Sequence, residues 1–236
     1  MNIALILAGG IGQRMGQDVP KQFLCIDNKP VIVYTLENFQ KSPLIDKICV
    51  ACAEGWEAFV WSYAKQFNIS KLEIVVCGGE NRFMSVYNLL IAIRSFTADN
   101  DIVMTYDAVR PIITNEIIED SVDKVKKYGA AVGVVPCYDS MYAIEEKESE
   151  LLSKGINRDL ILRGMGPDST TYGKAMFLFN KYIGVNKELN LIEMFLNSGM
   201  KVAKSKSSSR CIKLTTVEDI ELCRAMLKYE KYDWLK

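Results

Sequence analysis

The chain has 236 residues, 49% hydrophobic and 25% charged, with 29 basic residues balancing 29 acidic ones and no histidine. That length suits one large domain, or a domain with an appendage, and residues 1–236 are expected to form a single domain. Balanced charge gives no overall field to attract nucleic acid or anionic lipid, so any anion site must be a local cluster. The missing histidine excludes Ser-His and Cys-His nucleophiles and the usual proton shuttle near neutral pH.

In chain order, Ile3 to Leu7 is an apolar run that reads as a buried strand. It lacks a basic leader and is too short for a membrane span, and no later segment resembles one, so a cytoplasmic location is expected. The run empties into a loop with Gly9, Gly10, Gly12 and Gly16, with Arg14 inside it and Lys21 just past it. Glycine lets backbone approach an anion closely, and Arg and Lys supply countercharge. The dinucleotide fingerprint fails because Met15 stands at its third glycine, and a P-loop fails because Gln17 and Asp18 follow Gly16. A plain strand-to-helix turn is the alternative, but Arg14 and Lys21 at this spacing favour a phosphate-holding loop.

Strands are predicted next at Lys47–Ala53, Glu73–Cys77, Asp101–Tyr106 and Ala130–Pro136, alternating with helices at Ile32–Gln40, Trp56–Phe67, Phe83–Phe96 and Asn115–Tyr128. This alternation implies an α/β fold, a Rossmann-like and mostly parallel sheet flanked by helices, with ligands beyond the carboxyl ends of the strands. Cys49 and Cys52 have C-x-x-C spacing but lie in a strand, where residues three apart face opposite ways. With seven scattered cysteines and no histidine, zinc or redox chemistry is not expected.

Three turns carry candidate chemistry. Gly78 and Gly79 end the third strand, and with Glu80 and Ser85 they could meet the edge of a base; a simple βα turn is the alternative. Asp107 ends the fourth strand, where a carboxylate is a natural Mg²⁺ ligand beside phosphates, or half of an ion pair with Arg110. From Cys137 to Arg158 the rhythm breaks into a two-stranded excursion with a charged tip. Such an arm either packs on a second subunit or is a plain surface hairpin. Ser205–Arg210 reads as polar loop. Lys213 sits in the short apolar run Ile212–Thr215, where a strand lysine often only snorkels to solvent. Val217–Tyr229 reads as a closing helix.

Taken together, L-A-G-G-x-G-x-R-M-G…P-K-Q-F, G-G-x-x-R-x-x-S-V, D-A-V-R-P and I-K-L-T-T-x-E-D resemble the cytidylyltransferases of sugar-alcohol phosphates, over nearly the whole chain. Two branches of that family act on ribitol 5-phosphate, a teichoic acid and capsule precursor, and on 2-C-methyl-D-erythritol 4-phosphate, an isoprenoid precursor. The Leu-Ala-Gly-Gly version looks more like the ribitol branch. The resemblance implies a nucleotidyltransferase-type fold with CTP as substrate and Mg²⁺ as cofactor. It implies that Leu7, Ala8, Gly9, Gly10, Gly12 and Arg14 surround the triphosphate, with Lys21 at the α-phosphate. Gly79, Glu80 and Ser85 would surround cytosine, Asp107 would hold the metal, and Lys213 would stabilise the transition state. Arg110 would serve the acceptor, as would Ser140 and Arg158 on the arm of a partner subunit in a homodimer.

Two segments depart from the family. Its T-P-Q is Gly166-Pro167-Asp168 here, and its T-D-[DE] is Leu189-Asn190-Leu191, so groups expected near the acceptor are missing. The implied reaction is attack of an acceptor phosphate on the α-phosphorus of CTP. That phosphate is already ionised at neutral pH, its second pKa being about 6, so no general base is needed. Rival readings are the erythritol branch, a transferase using another nucleotide, and a non-catalytic nucleotide-binding homologue.

Overall fold

The computed structural model describes residues 1–10, 19–185 and 189–230. β1 (Asn2–Ala8) sends Ile3, Leu5 and Leu7 to one side and Ala4, Ile6 and Ala8 to the other, all buried. A strand apolar on both faces must lie inside a sheet covered on both sides. A small hairpin of β2 (Cys25–Ile26) and β3 (Lys29–Pro30) follows, turning through Asp27 and Asn28, whose positive φ suits short polar side chains. Then come α1 (Val31–Lys41), β4 (Lys47–Cys52), α2 (Glu57–Gln66), β5 (Leu72–Cys77), α3 (Arg82–Ala92), β6 (Ile102–Asp107), α4 (Asn115–Tyr128) and β7 (Ala130–Pro136). The hairpin β8 (Met141–Ala143) and β9 (Lys154–Ile156) stands apart from the main sheet. β10 (Leu162–Thr171), α5 (Tyr172–Tyr182), α6 (Leu191–Asn197), β11 (Ala203–Lys206) and α7 (Val217–Glu230) complete the order.

The seven-stranded sheet runs β11-β7-β10-β6-β1-β4-β5, with β10 antiparallel to both neighbours and every other pair parallel. One core joins Ala4, Ile6 and Tyr106 to Phe39 of α1 and Ile118 of α4; the other joins Ile3, Leu5 and Val103 to Leu89 of α3 and Phe179 of α5. Register pairs Leu7 with Asp107, Ala8 with Cys52, and Cys52 with Cys77, so four carboxyl-terminal strand ends share one rim.

The expected strands and helices of the first half are present, with α3 ending at Ala92 rather than Phe96. The second half corrects two expectations. Ser205 and Lys206 belong to β11, an edge strand in which only Ser205 is buried, so it lacks an apolar run. Ile212–Thr215 is an extended loop rather than a strand. β10 escaped notice because Gly164, Gly166 and Pro167 interrupt it, and such residues inside a strand mark a bulge or close approach.

That bulge is built into the sheet. Gly164 pairs with Val134 and Asp168 with Val132, so three residues of β10 stand opposite Gly133 alone. A Cβ on Gly133 would lie 2.1 Å from the Gly166 carbonyl oxygen, so only glycine lets the two backbones meet. Ser207 Oγ holds that same oxygen at 2.9 Å, and β10 rejoins the ladder at Asp168, opposite Thr105. We expect Gly133→Ala to cost about 1–3 kcal/mol by overpacking, lowering the melting midpoint by about 2–10 °C. Calorimetry checks this, and an unchanged midpoint would show that the bulge has room.

Candidate active site

Gln22 fixes the mouth of the glycine loop. Its side chain is buried, and its amide nitrogen donates to the carbonyls of Ala8 and, at 3.0 Å, Gly10. It lies in the short 3-10 turn Lys21–Phe23, anchored where Phe23 stacks on Trp56 with centroids 4.2 Å apart. That anchor sets Lys21 on the wall of the cleft beside Gly9 and Gly10.

The start of α3 forms the opposite wall. Asn81 caps it by accepting from the Met84 amide at 2.9 Å. Ser85 Oγ donates to the Asn81 carbonyl at 2.9 Å and accepts from the Gly79 amide at 3.1 Å, so its hydroxyl braces the turn as well as lining the cleft. A Cβ on Gly79 would fall 2.2 Å from Met84 Cβ, which makes glycine obligatory there.

Between these walls sits Asp107 with three cations. Lys213 Nζ is 3.1 Å from Oδ2, Arg110 Nε is 3.2 Å from the same oxygen, and Arg82 Nε is 3.7 Å from Oδ1. Arg110 Nη1 also donates to the Cys211 carbonyl at 2.6 Å, and the Leu214 amide to the Val109 carbonyl at 2.9 Å. These two bonds tie the Lys213 loop to the end of β6. Burial pushes the Asp107 carboxyl up, but Lys213, Arg82 and Arg110 together outweigh it and hold it below the ordinary carboxylate value. For Asp168 burial wins: with Arg82 as its nearest cation and Asp107 opposing it, its carboxyl is raised.

The structure gathers Leu7, Gly9, Gly10, Lys21, Gly79, Glu80, Ser85, Asp107 and Lys213 around one cleft of about 290 Å³, with Ala8 held beneath it through Gln22. Arg82 and Asp107 also border a second cleft of about 350 Å³, lined by Arg110, Asp168, Asn190 and Glu193 among others. Gly12 and Arg14 lie outside the described residues. Ser140 and Arg158 are exposed on the arm and line neither cleft of their own protomer; Arg158 donates to the Tyr138 carbonyl at 2.6 Å.

Gln22, Arg82, Asp168, Asn190 and Glu193 were not singled out as site residues. Gln22 and Arg82 stand inside quoted motifs, P-K-Q-F and G-G-x-x-R, which was the available signal. The segments that depart from the family are not empty of polar groups. Asp168 enters the second cleft after the bulge, and Asn190 caps α6 in a reciprocal box with Glu193. Leu189 and Leu191 beside them are core.

Among the described residues, no three His, Cys, Asp or Glu side chains gather as a metal site. Mg²⁺ commonly takes only one or two carboxylates and completes its shell with phosphate oxygens and water. Asp107, whose Oδ1 has a long 3.7 Å contact, suits that limited role.

The family model for IspD, 2-C-methyl-D-erythritol 4-phosphate cytidylyltransferase, matches residues 2–229. The chain is 32% identical to a ribitol-5-phosphate cytidylyltransferase of Lacticaseibacillus paracasei, covering 97% of this chain and 98% of that protein. It is 31% identical to one of Streptococcus agalactiae serotype Ia, covering 96% and 95%. The crystal structure of Francisella tularensis 2-C-methyl-D-erythritol 4-phosphate cytidylyltransferase superposes with a TM-score of 0.76 at 28% identity, covering 95% and 98%. A 4-diphosphocytidyl-2C-methyl-D-erythritol synthase of Anaerococcus prevotii shares the fold, with a TM-score of 0.80 at 21% identity over 96% and 98%.

The charge balance gives a pH signature. Because the folded pKa of Asp107 is depressed, its contribution is fully present above the unfolded value of about 4 and is lost as pH falls through the folded value. Asp107→Asn should therefore cost about 2 kcal/mol at neutral pH, and the difference from wild type should shrink as pH falls below about 4. The figure is below that of a fully buried pair because Lys213 and Arg82 are 44% and 37% exposed. Urea unfolding in metal-free buffer from pH 7 to pH 3 reads it; a constant difference would show that the ion cluster contributes nothing.

Proposed function

We propose that this chain, which belongs to the 2-C-methyl-D-erythritol 4-phosphate cytidylyltransferase family, transfers CMP from CTP to ribitol 5-phosphate or a closely related polyol phosphate, releasing pyrophosphate. The acceptor reading is supported by the ribitol-named relatives that align over almost the full chain. The observation that carries the reading is the cation cluster at Asp107, placed where the two clefts meet, with Lys21 and Lys213 lining the first. Triphosphate fits the glycine loop, and the turn of Gly79, Glu80 and Ser85 suits the edge of cytosine. Polyol phosphate fits the second cleft.

In the reaction an acceptor phosphate oxygen forms a bond to the α-phosphorus as the bond to the bridging oxygen of pyrophosphate breaks. The nucleophile is ionised before it arrives. Catalysis is then alignment plus stabilisation of charge spreading over the phosphoryl oxygens, by Lys21 and Lys213 with Arg14. The guanidiniums of Arg82 and Arg110 hold Asp107 and keep the Lys213 loop seated. Asp107 with the triphosphate oxygens would hold Mg²⁺, which when bound offsets charge on the departing pyrophosphate.

We read the arm as the contact of a homodimer. Tyr138, Leu151, Leu152 and Leu160 are among its most exposed residues, Leu160 at 80%, and a second subunit would cover them. Ser140 and Arg158 would then reach the partner's acceptor cleft. No disulfide joins the seven cysteines, all of them among the described residues, which fits a reducing cytoplasm where an activated polyol for cell wall or capsule would be made. No helix among the described residues is long and apolar enough to cross a membrane.

A panel of polyol and sugar phosphates with CTP, read by pyrophosphate release, tests the acceptor; faster turnover of 2-C-methyl-D-erythritol 4-phosphate than of ribitol 5-phosphate would replace the reading. Lys21→Ala should lower turnover by about 100-fold or more with unchanged circular dichroism. Near-normal rates there would sink the mechanism. Arg158→Ala should raise the acceptor KM about 10-fold with CTP KM steady, while sedimentation still reports a dimer. A monomeric wild type would refute the shared site.

A further inference from the structure

The second cleft carries a carboxylate that the chemistry above leaves unused. Asp168 is 15% exposed, and its cation is Arg82, with Nη2 3.5 Å from Oδ2. Asp107 has three cations around it, whereas Asp168 shares one of those three. A carboxylate offers about four lone-pair sites, so one long contact leaves most of its accepting capacity free to meet a ligand. The fold places it deliberately. The bulge opposite Gly133 ends at Asp168, which pairs with Thr105 on β6, and Thr105 shares a sheet face with Asp107 two residues on.

The two clefts, which share Arg82 and Asp107, therefore carry cations at one end and a carboxylate at the other, with Lys21 and Lys213 bordering the first and Asp168 bordering the second. A phosphorylated polyol has the matching polarity: a dianion at one end and hydroxyl donors along the rest. We propose that Asp168 is a specificity-determining residue, accepting a hydrogen bond from one hydroxyl of the acceptor's carbon chain and turning its phosphate toward Lys213. This rests on the reading of the chain as a polyol-phosphate cytidylyltransferase. A site built to hold a hydroxyl penalises the analogue that lacks it, because the buried acceptor is left unpaired.

The test is steady-state kinetics on wild type and Asp168→Asn, using CTP with ribitol 5-phosphate and its single-deoxy analogues. For wild type, removing one particular hydroxyl should lower kcat/KM about 10- to 100-fold. Asp168→Asn should show a similar loss on ribitol 5-phosphate, mainly in KM, with no further loss on that deoxy analogue and a CTP KM within about threefold. A residue that only anchors Arg82 would lower kcat equally on every acceptor and keep wild-type discrimination; that result overturns the proposal. Should Asp168→Asn not fold, the wild-type series decides, because tolerance of every single deoxygenation also overturns it. Wild type that turns over no polyol phosphate at all fails the functional reading itself, a separate and recognisable outcome.

Discussion

Everything at the rim depends on one carboxylate being kept ionised in a mostly buried place. Asp107 needs cations to remain charged there, and the chain supplies them from three separate segments: the start of α3, the turn after β6, and the loop before α7. The cost of burying the charge thereby becomes a constraint on tertiary structure. Arg110 takes part twice, through Asp107 and through the Cys211 carbonyl, so the late loop is registered against the end of β6. Lys213 is more exposed than either arginine, so of the three cations it is the one most open to the cleft.

The same economy holds at the glycine loop. Where the chain enters that loop, Gln22 satisfies the carbonyls of Ala8 and Gly10. Buried polar groups must be partnered, and here the partner residue adjoins Lys21. One short turn thus supplies both the structural clamp and the cation.

The parallel half of the fold was legible because its strands are buried on both faces and its helices are amphipathic. Ile3–Leu7 and Asn115–Tyr128 state their periods plainly. The residues of the first cleft are legible because glycines and cations sit at strand ends, where such a sheet binds ligands. β10 was not, since Gly164, Gly166 and Pro167 read as turn and its pairing depends on Gly133, far away in sequence. Asn190 stands where the family has an acidic residue, and the motif alone does not show that it caps α6 and borders the cleft. Arg82 was quoted within a motif, but its two carboxylate partners come from β6 and β10 and meet only in three dimensions.

The antiparallel run of β10 has a wider consequence. The first cleft is made of loops leaving strand ends, where one change of length or glycine disrupts a whole turn. The second cleft is walled partly by β10, whose backbone past the bulge is held by the ladder on both sides. Position 168 pairs through its backbone with Thr105 and Val132, a pairing that does not depend on its side chain. On the function proposed above, the fold would separate the choice of alditol from the handling of nucleotide, and new acceptors would be reached by point changes on a fixed frame.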